Sequence, residues 1–203
     1  MDEDKPLFDN GVYLAAYLTT SFVFGWVMRA RVEGLENVPR SGRLLIACNH
    51  LSMVDPPLVA WAIARRRIGH FLGKAELFEN PVSAWVLRNL HSIPLDRGRG
   101  DVGALRRAME ILEGGACLVL FPEGTRSKTG LPGRPKAGVG LLAADSGAPV
   151  VPARVFGTWG FPRGGPLGIR FGRALRFGEE GEPRDKTGYH AFAERAMAAV
   201  QGL

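Results

Sequence analysis

The stretch Leu44-Leu45-Ile46-Ala47-Cys48-Asn49-His50-Leu51-Ser52-Met53-Val54-Asp55-Pro56-Pro57 decides how this chain folds. Its first five residues form an unbroken apolar run of strand length, the pattern of a strand buried on both faces, as in a parallel sheet. Asp55 with the two prolines behind it reads as a helix start, an acidic N-cap followed by residues whose fixed φ suits the first turn. On one continuous helix His50 and Asp55 would point about 140° apart. At a strand-to-helix turn they can meet, and an open parallel sheet binds its ligands beyond the carboxyl ends of its strands.

Outward from this junction, short aliphatic runs alternate with helical patterns. Strands are predicted at Arg43 to Cys48, Ile68 to Leu72, Ser92 to Leu95, Ala116 to Phe121, Val150 to Phe156 and Gly168 to Phe177. Helices are predicted at Pro56 to Arg67, Asn80 to Leu90, Val102 to Glu113, Lys136 to Ser146 and Tyr189 to Gln201, with Gly/Pro-rich loops at Thr129 to Pro135 and Gly160 to Gly168. The alternation specifies an α/β domain with a mostly parallel central sheet flanked by helices.

No charge occurs from Gly11 to Met28, a run rich in Leu, Val, Tyr, Phe and Trp. As a helix it reaches roughly 27 Å, slightly short of the ~30 Å hydrocarbon core, so it is expected to span with strain or to lie in the interface. The acidic residues Asp2, Glu3 and Asp4 argue against a secretory signal, and Arg29 and Arg31 behind the run favour a cytoplasmic catalytic part. The chain therefore divides into an N-terminal membrane-associating helix, residues 1–31, and a catalytic domain, residues 32–203.

With 203 residues, 46% hydrophobic and 23% charged, the chain suits one domain with a substantial core. The net charge of +6 suits an anionic partner without choosing which. Cys48 and Cys117 each sit inside an apolar run and read as packing residues. Neither a disulfide nor a metal site is expected. His70, His91 and His190 read as structural. Arg65-Arg66-Arg67 reads as a solvated helix end, or as a headgroup contact beside a membrane anchor.

A second strand end carries Phe121-Pro122-Glu123-Gly124-Thr125-Arg126-Ser127, where Gly124 permits an unusual backbone and Arg126 offers a guanidinium fork to phosphate. Ile93-Pro94-Leu95-Asp96-Arg97 places another arginine just past a strand, and Lys74 with Glu76 follows a third. A parallel sheet would gather these cations on one rim beside His50, a phosphate cradle next to a general base whose tautomer Asp55 could set. Gly98-Arg99-Gly100-Asp101-Val102-Gly103 formally satisfies a dinucleotide fingerprint, but it stands alone. The absence of G-x-S-x-G and Walker A sequences argues against a serine hydrolase or a P-loop NTPase.

The blocks Asn49-His50 to Asp55, Ile93 to Arg97, Phe121 to Ser127 and Val151-Pro152-Ala153, in that order, resemble those of the PlsC-type 1-acylglycerol-3-phosphate acyltransferases. The second block departs modestly, with Ile93-Pro94-Leu95 where an aromatic-rich F-x-D-R is common. The resemblance implies acyl transfer from acyl-CoA or acyl-carrier protein to the free hydroxyl of a lysophospholipid acceptor, at the cytoplasmic face of the membrane, with no cofactor, no metal and no nucleic-acid partner. It implies His50 and Asp55 as the catalytic dyad, Lys74, Arg97 and Arg126 as phosphate ligands, and Glu123, Gly124 and Thr125 as the rest of the acceptor site. Glycerol-3-phosphate or another lysolipid as acceptor, and a lipid-binding domain without chemistry, are the alternatives.

Overall fold

The computed structural model describes residues 9–96, 102–163 and 165–203. Arg97, the glycines Gly98 and Gly100, and the acidic residues Asp2, Glu3 and Asp4 lie outside the described residues. Seven strands form one sheet: β1 (Arg31–Glu33), β2 (Leu44–Cys48), β3 (Gly69–Lys74), β4 (Ser92–Leu95), β5 (Cys117–Leu120), β6 (Val150–Phe156) and β7 (Gly168–Phe171). Their order is β1-β7-β6-β2-β5-β3-β4. Five neighbouring strands, β6 to β4, run parallel. β7 opposes β6, and β1 runs with β7.

β2 is central because every one of its five side chains is buried. Leu44, Ile46 and Cys48 pack with Leu58, Val59 and Ile63 of α2 (Asp55–Ile63). Leu45 and Ala47 face the opposite layer, built on α4 (Val102–Glu113), α5 (Gly138–Ser146) and α6 (Lys186–Gln201). A sheet covered on both faces exposes only its strand ends, so polar chemistry is confined to the rims.

The N-terminal segment departs from expectation. It winds as α1 (Gly11–Thr20) and continues as a π-helix over Ser21–Val27. Among the described residues no helix is long and apolar enough to cross a membrane. The regular α-helix covers only the first ten residues of the uncharged run, the run's middle is Thr19-Thr20-Ser21, and one face is committed to the protein: Tyr13 and Phe24 are buried. The helix is two-sided, not apolar to lipid all round.

Other differences are local. β1 had no signal because three residues alternating Arg, Val and Glu carry none. β7 stops at Phe171 and continues only through a bridge between Val150 and Leu175. α2 ends at Ile63, and Arg66 and Arg67 beyond it are clamps: Arg67, buried, donates to the carbonyls of Pro39, Gly42 and Gly115, and Arg66 to that of Val38. That commits Arg67 to the protein interior while Arg66 stays half-buried, and burial lowers the pKa of Arg67. α6 begins at Lys186, three residues early, because Asp185 caps the Gly188 N–H.

Gly42 and Gly115 precede β2 and β5, so Arg67 ties the rim opposite the strand carboxyl ends. Replacing Arg67 by alanine leaves three carbonyls without their donor, and a loss of about 2–4 kcal/mol is expected in urea unfolding. Activity per folded molecule should be unchanged, because the contacts are on the far side of the sheet.

Candidate active site

β2 ends at Cys48, and the Asn49 side chain extends its pairing one step further. Asn49 Nδ2 donates to the Val155 carbonyl at 3.1 Å, and its Oδ1 accepts the Val155 N–H at 2.8 Å. This amide replaces a rung of the β2–β6 ladder and holds the turn that follows. His50 comes next, with its carbonyl accepting the Ser127 N–H at 2.8 Å. The two motif turns are thus tied backbone to backbone.

Asp55 does not cap α2 in the expected way. It stands inside the first turn, after Val54, and its carboxylate turns back over the preceding residues. Oδ2 accepts from Leu51 N at 2.6 Å and Ser52 N at 2.7 Å, and it lies 2.9 Å from Nδ1 of His50. Asp55 is fully buried, and Oδ1 has no hydrogen-bond partner among the described residues. A buried carboxylate acceptor at Nδ1 selects the tautomer with a proton there and leaves Nε2 with a free lone pair. The His50 ring stacks on Phe121, with centroids 4.2 Å apart and planes at 23°. Phe121 and Asn49 set the imidazole and its turn in place, and the sequence marked both as motif members without giving either a job.

Glu123 is buried next to the dyad. Its Oε1 accepts the His50 N–H at 3.3 Å, while Oε2 is buried without a partner. Burial pushes its pKa from the ordinary 4.5 up to about 7, and the nearby Asp55 charge adds to the rise, against N–H groups of its own residue, His50 and Gly133. Gly124 has φ 72°, a conformation glycine adopts without strain. Thr125 and Arg126 are exposed beyond it, and no carboxylate pairs with Arg126 among the described residues.

Lys74 ends β3, two strands from β2 across β5. Register places it level with Asn49 and Pro122 on the same rim, about 10 Å from β2 by strand spacing. Its ammonium pairs with Glu76 at 2.7 Å, both about half exposed. The fold therefore brings His50, Asp55, Glu123, Gly124 and Phe121 together, sets Thr125 and Arg126 at the edge, and leaves Lys74 on the rim without contact to the dyad. Cys48 is not a nucleophile candidate, because full burial raises its thiol pKa well above the usual range. Among the described residues no group of three His, Cys, Asp or Glu side chains could hold a metal ion.

The carboxyl rim of the mostly parallel sheet thus carries a buried imidazole–carboxylate pair beside a glycine turn and an exposed guanidinium, an arrangement whose geometry suits a general base next to an anion contact. The family profile described as Acyltransferase matches residues 29–155, more than half of the chain, and the chain belongs to that family. Its curated relatives there are named 1-acyl-sn-glycerol-3-phosphate acyltransferases. It is 37% identical over 130 residues to the chloroplastic 1-acyl-sn-glycerol-3-phosphate acyltransferase BAT2 of Brassica napus, a match covering 63% of this chain and 37% of that protein. It is 32% identical over 123 residues to the 1-acyl-sn-glycerol-3-phosphate acyltransferase of Bacillus subtilis, covering 61% of this chain and 60% of the other. The crystal structure of the 1-acyl-sn-glycerophosphate acyltransferase PlsC from Thermotoga maritima superimposes with a TM-score of 0.68 at 26% identity, over 94% of this chain and 79% of that one. The chain thus spans between about a third and three fifths of the length of these curated relatives.

The raised Glu123 pKa gives a stability signature. The folded protein holds this proton more tightly than the unfolded chain does. The resulting stability is full below about 4.5 and is lost as pH rises through about 7, by roughly 3 kcal/mol. In Glu123→Gln that decline should vanish. Urea unfolding at pH 4.5 and pH 8 should show the variant gaining on the parent across this window, and a constant difference would contradict the assignment.

Proposed function

We propose that this protein transfers a fatty acyl group from an acyl thioester, carried by coenzyme A or acyl-carrier protein, to the free hydroxyl of 1-acylglycerol-3-phosphate, forming phosphatidic acid without a metal or cofactor. The observation that carries this reading is the buried His50–Asp55 pair with Nε2 left free on the substrate rim. Relatives named for that reaction support it.

In this mechanism His50 Nε2 takes the proton of the acceptor hydroxyl, and Asp55 supports the charge that develops on the ring. The oxygen attacks the thioester carbonyl and a new C–O bond forms. The tetrahedral intermediate then expels the thiolate, which takes the same proton back from His50 and leaves as thiol. Arg126, Arg97 and Lys74 attract the acceptor phosphate, and Glu123, Gly124 and Thr125 shape the acceptor site.

The proposed setting is a membrane surface, with residues 1–31 as the associating part, residues 32–203 as the catalytic domain, and the cytoplasmic face suggested by Arg29 and Arg31. Support comes from the exposed side of the N-terminal helix. Leu14, Leu18, Phe22 and Trp26 recur every fourth residue, Trp26 is 72% exposed, and Phe22 stacks on Trp26 at 5.2 Å.

Incubating the protein with labelled acyl-CoA against lysophosphatidate and glycerol-3-phosphate separately should give phosphatidic acid from the first. Product only from glycerol-3-phosphate would overturn the acceptor. His50→Ala and Asp55→Asn should each lower kcat about 10²- to 10⁴-fold while leaving the fold intact by circular dichroism. Arg126→Ala should raise KM for lysophosphatidate about tenfold more than KM for the donor.

A further inference from the structure

Two apolar cavities meet the catalytic rim, one on each face of the sheet. The first, about 250 Å³, lies among α1, α2 and α3 (Pro81–Asn89), and its lining residues, Tyr13, Pro56, Pro57, Trp61, Phe71 and Leu87 among them, carry no charge. The second, about 380 Å³, lies between α4, α5 and the ends of β3, β4 and β5. Leu105, Ala108, Leu120 and Leu142 line its depth, and Phe121, Gly124 and Lys136 line its motif side, with Asp96 also on its wall. Phe121 is the ring on which His50 stacks, so this cavity comes within one aromatic ring of the dyad.

Lys136 is held at that cavity by its backbone. Lys136 lies two residues before α5, and its N–H donates to the Pro122 carbonyl at 2.8 Å, directly on the second motif. Its side chain folds over Gly124: a Cβ there would meet Lys136 Cε and Nζ at 3.0 Å, so the glycine makes room for the lysine as well as for its own φ of 72°. No carboxylate pairs with this ammonium among the described residues.

We infer that this second cavity holds the acyl chain already present on the acceptor, and that Lys136 binds the acceptor's phosphate. The inference rests on the acyl-transfer reading above and specifies how the acceptor is seated. Chemistry separates acceptor from donor. In 1-acylglycerol-3-phosphate the phosphate and the first chain flank the reacting hydroxyl on adjacent carbons, so a cation and an apolar cavity must both adjoin the base. The phosphates of an acyl-CoA or carrier lie at the far end of a pantetheine arm, well away from the thioester. A site with its cation beside the catalytic turn therefore fits the acceptor, and the uncharged cavity on the other face is left to the donor chain. Occupancy by an apolar chain also makes sense of a cavity of ligand size under an otherwise close-packed sheet.

The test measures binding of 1-acylglycerol-3-phosphates of increasing chain length by calorimetry without donor, together with turnover in which donor and acceptor chain lengths are varied separately. Lys136→Met should weaken lysophosphatidate binding tenfold or more at every chain length, and Lys136→Arg should restore most of it. In the parent, affinity should rise about fourfold per methylene until the cavity is full. Leu105→Trp, at a partly exposed lining position that tolerates a larger side chain, should cut off that rise at a shorter acceptor without changing donor preference. A shift in donor chain preference, or acceptor binding indifferent to Lys136→Met, would overturn the inference. Because binding is read without donor, a protein that binds acceptor as described and transfers nothing would uphold this site and refute the reaction.

Discussion

One carboxylate oxygen organises this molecule's chemistry. Oδ2 of Asp55 receives the backbone N–H groups of Leu51 and Ser52 and faces Nδ1 of His50, all within 3 Å. Two of these contacts build the turn that carries the histidine, and the third orients its ring. In the proposed mechanism, folding the turn therefore also prepares the base. The cost is a fully buried carboxyl group, with Oδ1 unpartnered among the described residues. Such burial is tolerated where three donors converge, and replacing the group would loosen this turn locally while the sheet around it persists.

The sheet converts this local arrangement into a site. With β6, β2, β5, β3 and β4 parallel, every turn beyond them opens on one rim, and the order of strands sets distance from the base. β5 is adjacent, so Phe121, Glu123 and Gly124 touch or flank His50. β3 is one strand further, so Lys74 shares the rim without touching the dyad. Apolar layers on both faces end at the same rim, which is why a polar centre and two apolar cavities coexist within a few residues.

Much of this was legible in the chain. The apolar run Leu44–Cys48 and the prolines at 56 and 57 located the junction because a strand buried on both faces and a proline-opened helix are patterns of sequence itself. Ser92–Leu95, Val102–Glu113 and Val150–Phe156 begin and end where periodicity and turn residues place them. What was not legible depends on tertiary partners. β1 exists only because β7 pairs with it, and the buried clamp at Arg67 looks like surface charge until Pro39, Gly42 and Gly115 converge on it. The two-sided N-terminal helix read as a membrane-associating segment throughout because hydropathy does not distinguish burial in protein from exposure of the same residue types. At the site, residue identities were readable, but the direction of the Asp55 carboxylate, the stacking of Phe121 and the fold of Lys136 over Gly124 come from backbone geometry.

The account turns on which nitrogen of His50 carries the proton in the neutral ring. ¹⁵N-resolved NMR of the imidazole in the folded protein, compared between the parent and Asp55→Asn, reads this directly. The structure predicts a protonated Nδ1 and a bare Nε2 in the parent, with that preference lost or mixed in the variant. A proton resident on Nε2 of the parent, or a tautomer indifferent to Asp55→Asn, would contradict the role given to this pair.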